Sequence, residues 1–416
     1  MADAINRASD AAERAIKAEK EDLGEVTDST IGSILDDEGK LLTIPQVVEV
    51  FHTSDLYFGY PPIDGFKLYR ERTTSWILGS NLKTAKENHT LLTFSTMGGT
   101  GAISMAFRFA QTYGFEVLFP ELGRPCYTDI ANGASAYYRK YQLFDRDFKF
   151  NIKAVSDMVQ EDKNRFKGFL LVINDPCQNP SGHTMSKEEC QELFDTVSKI
   201  NRTGGTRIAI LWDVAYMSYA KESPAWLPMV CQADGAFTSL IAFSASKSFA
   251  LYGLRLGMIL GILPKGDEKT KDILFNIFAR TAKQSYIVTD GLGMSALENV
   301  MSPEVAKSVK PQLTSMGNLL RDRGERMKAA LDEQDISYLP YQEGFYLTAV
   351  VESNPEILSQ FLEKRKVFLY PMQPRYLRIS IAALKPGQEK TIARAIKLAE
   401  NKAQDPEQVK RLKQER

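Results

Sequence analysis

Four polar residues, each set just beyond a separate run of apolar residues, constrain this chain more than any other feature. Leu91 to Phe94 precedes Met97-Gly98-Gly99-Thr100-Gly101, and Phe169-Leu170-Leu171-Val172-Ile173 precedes Asn174 to Gly182. Ile208-Ala209-Ile210-Leu211-Trp212 precedes Asp213, and Ala236 to Phe243 precedes Ser244-Ala245-Ser246-Lys247. Apolar runs without polar alternation fit strands buried on both faces of a parallel sheet. Helical patterns lie between them, from the glycine turn through Ala110 and again over Lys187 to Ile200. In such an α/β sheet the loops leaving the carboxyl ends of the strands converge on one crevice. Thr100, Asn179, Asp213 and Lys247 are therefore expected along one edge of a mostly parallel sheet flanked by helices.

The chain has 416 residues, long enough for two domains. Lys+Arg and Asp+Glu both number 52, so the formal charge is zero and nothing suggests a nucleic-acid partner. No uncharged apolar run reaches membrane-spanning length; the nearest, Ser248 to Leu263, contains Arg255. The start, Met-Ala-Asp-Ala-Ile-Asn, lacks a secretory apolar core, so a cytoplasmic protein is expected. Cys126, Cys177, Cys190 and Cys231 are widely spaced, against a zinc site or a disulfide scaffold. His52, His89 and His183 form no metal or triad motif; His183 alone sits near a segment of interest.

Lys247 stands in Phe243-Ser-Ala-Ser-Lys-Ser-Phe-Ala-Leu-Tyr-Gly-Leu-Arg255-Leu-Gly257, directly after a strand-like run. A lysine there is costly unless its charge is compensated. A Schiff base with an aldehyde cofactor is one compensation, because it removes the full ammonium charge. Ser244, Ser246 and the forked guanidinium of Arg255 would then suit a phosphate. The stretch resembles the lysine motif of the fold-type I, pyridoxal-phosphate-dependent aminotransferases of class I/II, the aspartate aminotransferase-like group.

The resemblance extends to Asp213-Val214-Ala215-Tyr216, which matches the family's Asp-x-Ala-Tyr, and to Asn179-Pro180-Ser181-Gly182, similar to its Asn-Pro-Thr-Gly. It implies an internal aldimine on Lys247, with Asp213 on the cofactor's pyridine nitrogen and Asn179 and Tyr216 on its phenolic oxygen. Gly99, Thr100 and Gly101 match the family's phosphate turn, with Gly98 in place of its serine. Tyr127, in Arg124-Pro125-Cys126-Tyr127, matches an aromatic residue that stacks on the pyridine ring. Tyr60, in Tyr57-Phe-Gly-Tyr-Pro-Pro-Ile-Asp-Gly65, matches a tyrosine that reaches the partner subunit's cofactor phosphate, which implies a homodimer with shared sites. Arg378 matches the arginine that grips the substrate α-carboxylate, with Asn179 beside it. Gly32 matches a substrate-contacting glycine, and Arg280 lies where dicarboxylate enzymes bind a distal carboxylate, although Thr281-Ala282-Lys283 departs from their pattern.

The expected fold is α/β: a large domain over 46–302 with a mostly parallel, seven-stranded-type sheet, and a smaller α+β domain from both chain ends, 1–45 and 303–416. Amphipathic helix is read over 4–22, strands at 254–263, 344–348, 367–370 and 376–382, and helix over 303–331, 355–366 and the charged terminus from 397. The resemblance implies transamination between an L-amino acid and a 2-oxo acid. The same residues would serve a pyridoxal-phosphate lyase or decarboxylase, since the cofactor supports several bond cleavages. A regulatory pyridoxal-phosphate module is the non-enzyme alternative, but the segment before Gly32 is too short for a DNA-binding core. Gly99-x-Gly101 with Ser104, and Glu121 beyond, also fits a dinucleotide fingerprint, which leaves Asp213, Tyr216 and Lys247 without a role.

Overall fold

The computed structural model describes residues 3–20, 26–30, 32–203, 205–233 and 237–414. Its strands, in chain order, are β1 (Thr27–Asp28), β2 (His89–Thr96), β3 (Phe115–Pro120), β4 (Tyr138–Tyr141), β5 (Gly168–Asn174) and β6 (Arg207–Asp213). They continue with β7 (Ser239–Ser244), β8 (Gly257–Pro264), β9 (Tyr346–Val350), β10 (Val367–Phe368), β11 (Tyr370–Met372) and β12 (Tyr376–Ser380). The chain divides into two compact units, Thr43–Pro176 with Met185–Ser315, and Met1–Leu42 with Cys177–Thr184 and Met316–Arg416.

The larger unit holds a seven-stranded sheet in the order β2-β8-β7-β6-β5-β3-β4. Every pairing is parallel except the two that β8 makes with β2 and β7. Reversing only β8 leaves β2, β7, β6, β5 and β3 with their carboxyl ends on one edge. Each residue of β3, β5 and β7 is buried, as continuous apolar runs require of strands covered on both faces. The helix Gly98–Tyr113 buries Ala102, Ile103, Ala106 and Phe107 in one core with Leu240, Ala242 and Ile259 of the sheet.

The smaller unit holds an antiparallel sheet in the order β11-β12-β9 and a short parallel pair, β1 with β10. Leu377 and Ile379 of β12 share a core with Leu347 and Ala349 of β9, and with Leu358 and Ile396 from the helices Pro355–Glu363 and Gln388–Ala403. The N-terminal helix Asp3–Lys20 joins this unit, with Ala15 and Ala18 against Phe368 and an Arg14–Glu363 ion pair at 2.8 Å. Ser29 is fastened to β12 through Ser380, its backbone oxygen accepting at 2.9 Å and its hydroxyl donating at 2.7 Å.

Most expected elements appear with shifted ends. The first helix reaches Lys20, and residues 21 and 22 of the expected span lie outside the described residues, as do Ala236 at the head of the β7 run and Ile31 before Gly32. The strand read from Leu254 begins at Gly257, because Arg255 takes a left-handed φ of 56° that no strand accommodates. The strand read to Ala382 gives way after Ser380 to a 3-10 turn, Ile381–Ala383. The terminal helix is two helices, Gln388–Ala403 and Pro406–Gln414, parted where Pro406 disfavours helical geometry at Asp405. The chain leaves the larger unit at Ser315, inside the helix Pro303–Asp332, rather than at 302. Residues Cys177–Thr184, expected in the large domain, belong to the smaller unit. Thr348 donates to the Pro180 oxygen at 2.8 Å, and Gln342 N donates to the Gly182 oxygen at 3.0 Å.

Gly257 lets the reversed strand enter the sheet edge. A Cβ there would lie 2.4 Å from the Phe243 oxygen and 2.6 Å from the Gly98 carbonyl carbon, both main chain that cannot step aside. Gly257→Ala should lower the urea midpoint of the larger unit by the equivalent of at least the ~1–3 kcal/mol typical of overpacking. An unchanged midpoint would show that this edge is not tightly packed.

Candidate active site

Three structures line the carboxyl edge of the larger unit's sheet. The first is built where β2 ends. Helix Gly98–Tyr113 starts two residues after Thr96, with Gly98 in the left-handed region at φ 66°. Its first turn carries free N–H groups and the positive end of the helix dipole. Gly99 sits so close to β7 that a Cβ would approach the Ser244 Cβ to 3.1 Å, and a Cβ on Gly98 would meet Arg255 Nη2 at 2.9 Å. Arg255 Nη1 donates to Ser246 Oγ at 2.8 Å and to the Tyr252 oxygen at 3.3 Å. Among the described residues Arg255 has no carboxylate partner. A cation, two buried serines and a glycine-lined helix start form a donor set that an anion completes. Gly98 and Gly99 thus lie against Arg255 and Ser244, Ser246 is bonded to Arg255, and Thr100 and Gly101 follow in the same helical turn.

The second is Asp213, the last residue of β6. Register places it beside Asn174 of β5, whose Nδ2 donates to the Asp213 backbone oxygen at 2.7 Å. The carboxylate is fully enclosed. Its Oδ2 accepts from Arg124 Nη1 at 2.5 Å and from Tyr127 Oη at 2.8 Å, and its Oδ1 accepts from Ala215 N at 3.2 Å. Burial first, then Asp213, push the Tyr127 hydroxyl well above its ordinary range, so it stays a donor. This corrects the stacking expected of Tyr127. Its ring is 0 % exposed, packed in the core at 5.7 Å from Phe119, and it reaches the site through its hydroxyl alone. Tyr216, also buried, follows Asp213 by one turn.

The third is Lys247, in the single helical turn Ala245–Ser248 that β7 runs into. Its Nζ lies 4.6 Å from the centroid of the Tyr252 ring, and its backbone oxygen accepts from Tyr219 Oη at 2.5 Å. Ser248 Oγ, next in the chain, is buried without a hydrogen-bond partner.

The smaller unit carries its own buried arginine. Arg378 of β12 is 6 % exposed, yet no carboxylate pairs with it among the described residues. Its Nη1 donates to Asn179 Oδ1 at 3.4 Å and its Nη2 to the Thr30 oxygen at 3.1 Å, while Nε has no partner. The guanidinium carbon lies 4.4 Å from the Tyr346 ring centroid and 4.7 Å from that of Tyr370. Aromatic faces offset some of the cost of burying a cation, but not all of it. Tyr370 is the direct cross-strand neighbour of Arg378, a pairing only the sheet register reveals. Asn179 therefore stands with Arg378 in this unit, and Gly32 belongs to the same unit.

Two expected residues are not brought to these clusters. Tyr60 is 88 % exposed on its loop. Arg280 is exposed on the helix Glu268–Ser285, beside Arg108 and Gln111 and so near the far end of the helix that starts at Gly98. His183 is buried, and its backbone oxygen accepts from Gln178 N. Arg124, Tyr219, Tyr252, Tyr346 and Tyr370 were not singled out from sequence. Arg124 had a signal: it lies just past β3, another strand ending on the same edge.

The model of the family described as aminotransferase class I and II matches residues 25–396. The chain belongs to this family. This aminotransferase is 23 % identical to an aspartate aminotransferase of Pseudomonas aeruginosa over 81 % of its length and 83 % of the relative's. It is 27 % identical to an LL-diaminopimelate aminotransferase of Gloeobacter violaceus over 62 % of its length and 64 % of the relative's. An aminotransferase of Anaerococcus prevotii shares its fold at a TM-score of 0.85 and 23 % identity, covering 95 % and 96 % of the two chains. So does an aromatic-amino-acid aminotransferase of Burkholderia pseudomallei covalently bound to pyridoxal phosphate, at a TM-score of 0.75 and 20 % identity, covering 90 % and 92 %. The enzyme is a pyridoxal-phosphate-dependent transaminase, and the lyase reading is not favoured. The residues fit that cofactor: a buried carboxylate, a lysine and an anion cradle lacking a counter-charge lie at the ends of β6, β7 and β2. Among the described residues no helix is long and apolar enough to cross a membrane.

If the cradle holds an anion through Arg255, Arg255→Gln should weaken pyridoxal phosphate binding by about 10–100-fold, the worth of a charge-assisted contact. Unphosphorylated pyridoxal should bind the two proteins equally, as fluorescence titration of the cofactor-free forms would reveal. Equal losses for both ligands would place the phosphate elsewhere.

Proposed function

We propose that this aminotransferase exchanges an amino group between an L-amino acid and a 2-oxo acid, with Lys247 both carrying the cofactor and moving the proton. The observation that carries the reading is the setting of Lys247: it follows β7 directly, on the sheet edge that also bears the Arg255 cradle and the buried Asp213 carboxylate. Pyridoxal phosphate, when bound, supplies an electron-accepting ring for the electron pair freed as a bond to Cα breaks.

Each residue's part follows from its chemistry. Gly99, Thr100, Ser244, Ser246 and Arg255 would donate to the phosphate, with Gly101, whose N–H is taken by the Met97 oxygen, lining the same turn. Asp213 holds the proton on the ring nitrogen, since a carboxylate beside a pyridinium favours the charged form. Tyr127 fixes that carboxylate from behind, and Tyr216 and Asn179 donate to the phenolic oxygen. Lys247 Nζ would take the Cα proton and return it. Arg378 and Asn179 grip the substrate α-carboxylate, and Gly32 lines the substrate's other side. The relatives are named for aspartate, aromatic amino acids and LL-diaminopimelate, whose common feature is the α-carboxylate that Arg378 is suited to bind.

The same reading makes the enzyme a cytoplasmic homodimer. Tyr57, Phe58 and Tyr60 leave an aromatic loop exposed, with Ile287 and Leu292 also exposed in the same unit. Exposed apolar surface of this kind marks interaction sites. Tyr60 and Arg280 then act on the partner's site, Tyr60 at the phosphate and Arg280 at a distal carboxylate. Sedimentation should give a dimer, and a monomer at micromolar concentration would end this part of the reading.

Lys247→Ala should abolish both the visible absorbance of the bound cofactor and turnover, and a variant with full activity would overturn the assignment. Arg378→Ala should lower kcat/KM by roughly 100-fold, mostly through KM, while cofactor binding stays intact. Arg378→Lys should recover only part of that loss, because a point charge cannot replace the fork. A panel of amino donors against several 2-oxo acids, followed by the cofactor spectrum, would define the substrates.

A further inference from the structure

Arg124 has no part in the scheme above, yet it makes the shortest contact to Asp213. The residue is held at both sides. Ahead of it, Glu121 N donates to the Tyr141 oxygen at 2.9 Å and Glu121 Oε2 accepts from Leu143 N at 2.8 Å. Behind it, the Arg124 oxygen accepts from Tyr127 N at 3.1 Å as the helix Cys126–Ala134 begins. Between them Gly123 is packed so tightly that a Cβ would lie 3.0 Å from the Pro120 oxygen and 3.3 Å from the Tyr127 ring. A short, pinned loop delivers the guanidinium to Asp213 Oδ2 at 2.5 Å, with its carbon 5.9 Å from the Tyr127 ring centroid.

The order of burial is informative. Asp213 and Tyr127 are wholly enclosed, whereas the Arg124 side chain is 17 % exposed. Arg124 is therefore the outermost member, and a group approaching Asp213 from solvent comes alongside the guanidinium. Tyr127, Tyr216 and Cys126 face the pair, and Asp129 acts on Cys126 from the same helix. Burial raises the Cys126 thiol and the Tyr127 hydroxyl, so both stay neutral. Burial is the largest influence and opposes the charge on Arg124, but Asp213, together with the smaller influences of Cys126, Tyr127 and Tyr216, outweighs it, and the guanidinium stays protonated. The Asp213–Arg124 pair consequently carries a net charge near zero, not minus one.

We propose that Arg124 is a positioning residue that shares Asp213 with the cofactor's ring nitrogen and lowers the pH at which that nitrogen loses its proton. This rests on the reading of Asp213 as the nitrogen's partner. A second cation on the same carboxylate would disfavour the pyridinium, because a nearby like charge opposes the charged form. The carboxylate still orients the ring, but the ring becomes a weaker electron sink than one facing an unshared carboxylate.

The test is a pH titration by 15N NMR of holoenzyme reconstituted with pyridoxal phosphate labelled at the ring nitrogen, whose shift reports its proton directly. The wild-type nitrogen should lose its proton within the pH range in which the fold persists. Arg124→Gln should move that midpoint up by one to two pH units, and Arg124→Lys, which keeps the charge, should leave it near wild type. Asp213→Asn should move it down. If both Arg124 variants titrate like wild type while Asp213→Asn shifts, Arg124 plays no such part and the Asp213 reading stands. If Asp213→Asn does not shift, that underlying reading fails. A wild-type nitrogen protonated at every accessible pH also overturns the proposal. Should Arg124→Gln lose its native circular dichroism, Arg124→Met read on the same scale replaces it.

Discussion

The direction of β8 is the constraint on which the larger unit depends. Six strands run one way, and β8 enters between β2 and β7 running the other way. Its first residue, Gly257, is the register partner of both Thr96 and Ser244. The ends of β2 and β7 can therefore be separated by only one strand, and the glycine helix start and the Lys247 turn become neighbours. A side chain on Gly257 would push apart main-chain atoms on both sides. The anion cradle is a direct consequence: Gly98 can lie against Arg255 because nothing fills the space that Gly257 leaves.

Charge is distributed at low dielectric with some care. Asp213 is buried with three donors, so its negative charge is satisfied before any ligand arrives. Arg378 is buried with no carboxylate beside it among the described residues, where it meets the Asn179 and Thr30 oxygens and two tyrosine rings. Arg255 has serine and carbonyl acceptors but, among the described residues, no carboxylate. Removing a cation from water without a counter-ion is unfavourable for the protein alone, and an anionic ligand recovers that cost. The two arginines would each be stabilised by an anion, whereas any further cation at Asp213 would have to share its carboxylate with Arg124.

Much of this was legible before any coordinates. Apolar runs gave β2, β5, β6 and β7, and polar residues at their ends named Thr100, Asp213 and Lys247. Boundaries were less legible where local backbone geometry prevailed over pattern. Leu254 reads as strand, but Arg255 turns left-handed to reach Ser246. Tyr127 was assigned a stacking face from its place in a motif. A one-dimensional pattern does not say which way a residue in the first turn of a helix points, and this one points into the core. Asn179 was placed with the sheet that precedes it, although its segment is held by Tyr341 to Thr348, far along the chain.

The sequence by itself determined the element order, the α/β alternation and the chemical types at the strand ends, because these rest on local hydrophobic pattern and local composition. Only the tertiary structure decided that Tyr370 lies across from Arg378, that Thr348 holds the Pro180 oxygen, and that Arg124 reaches Asp213. Each of those contacts joins residues separated by a strand register, a crossover or a loop closure, and no short-range pattern encodes such a distance.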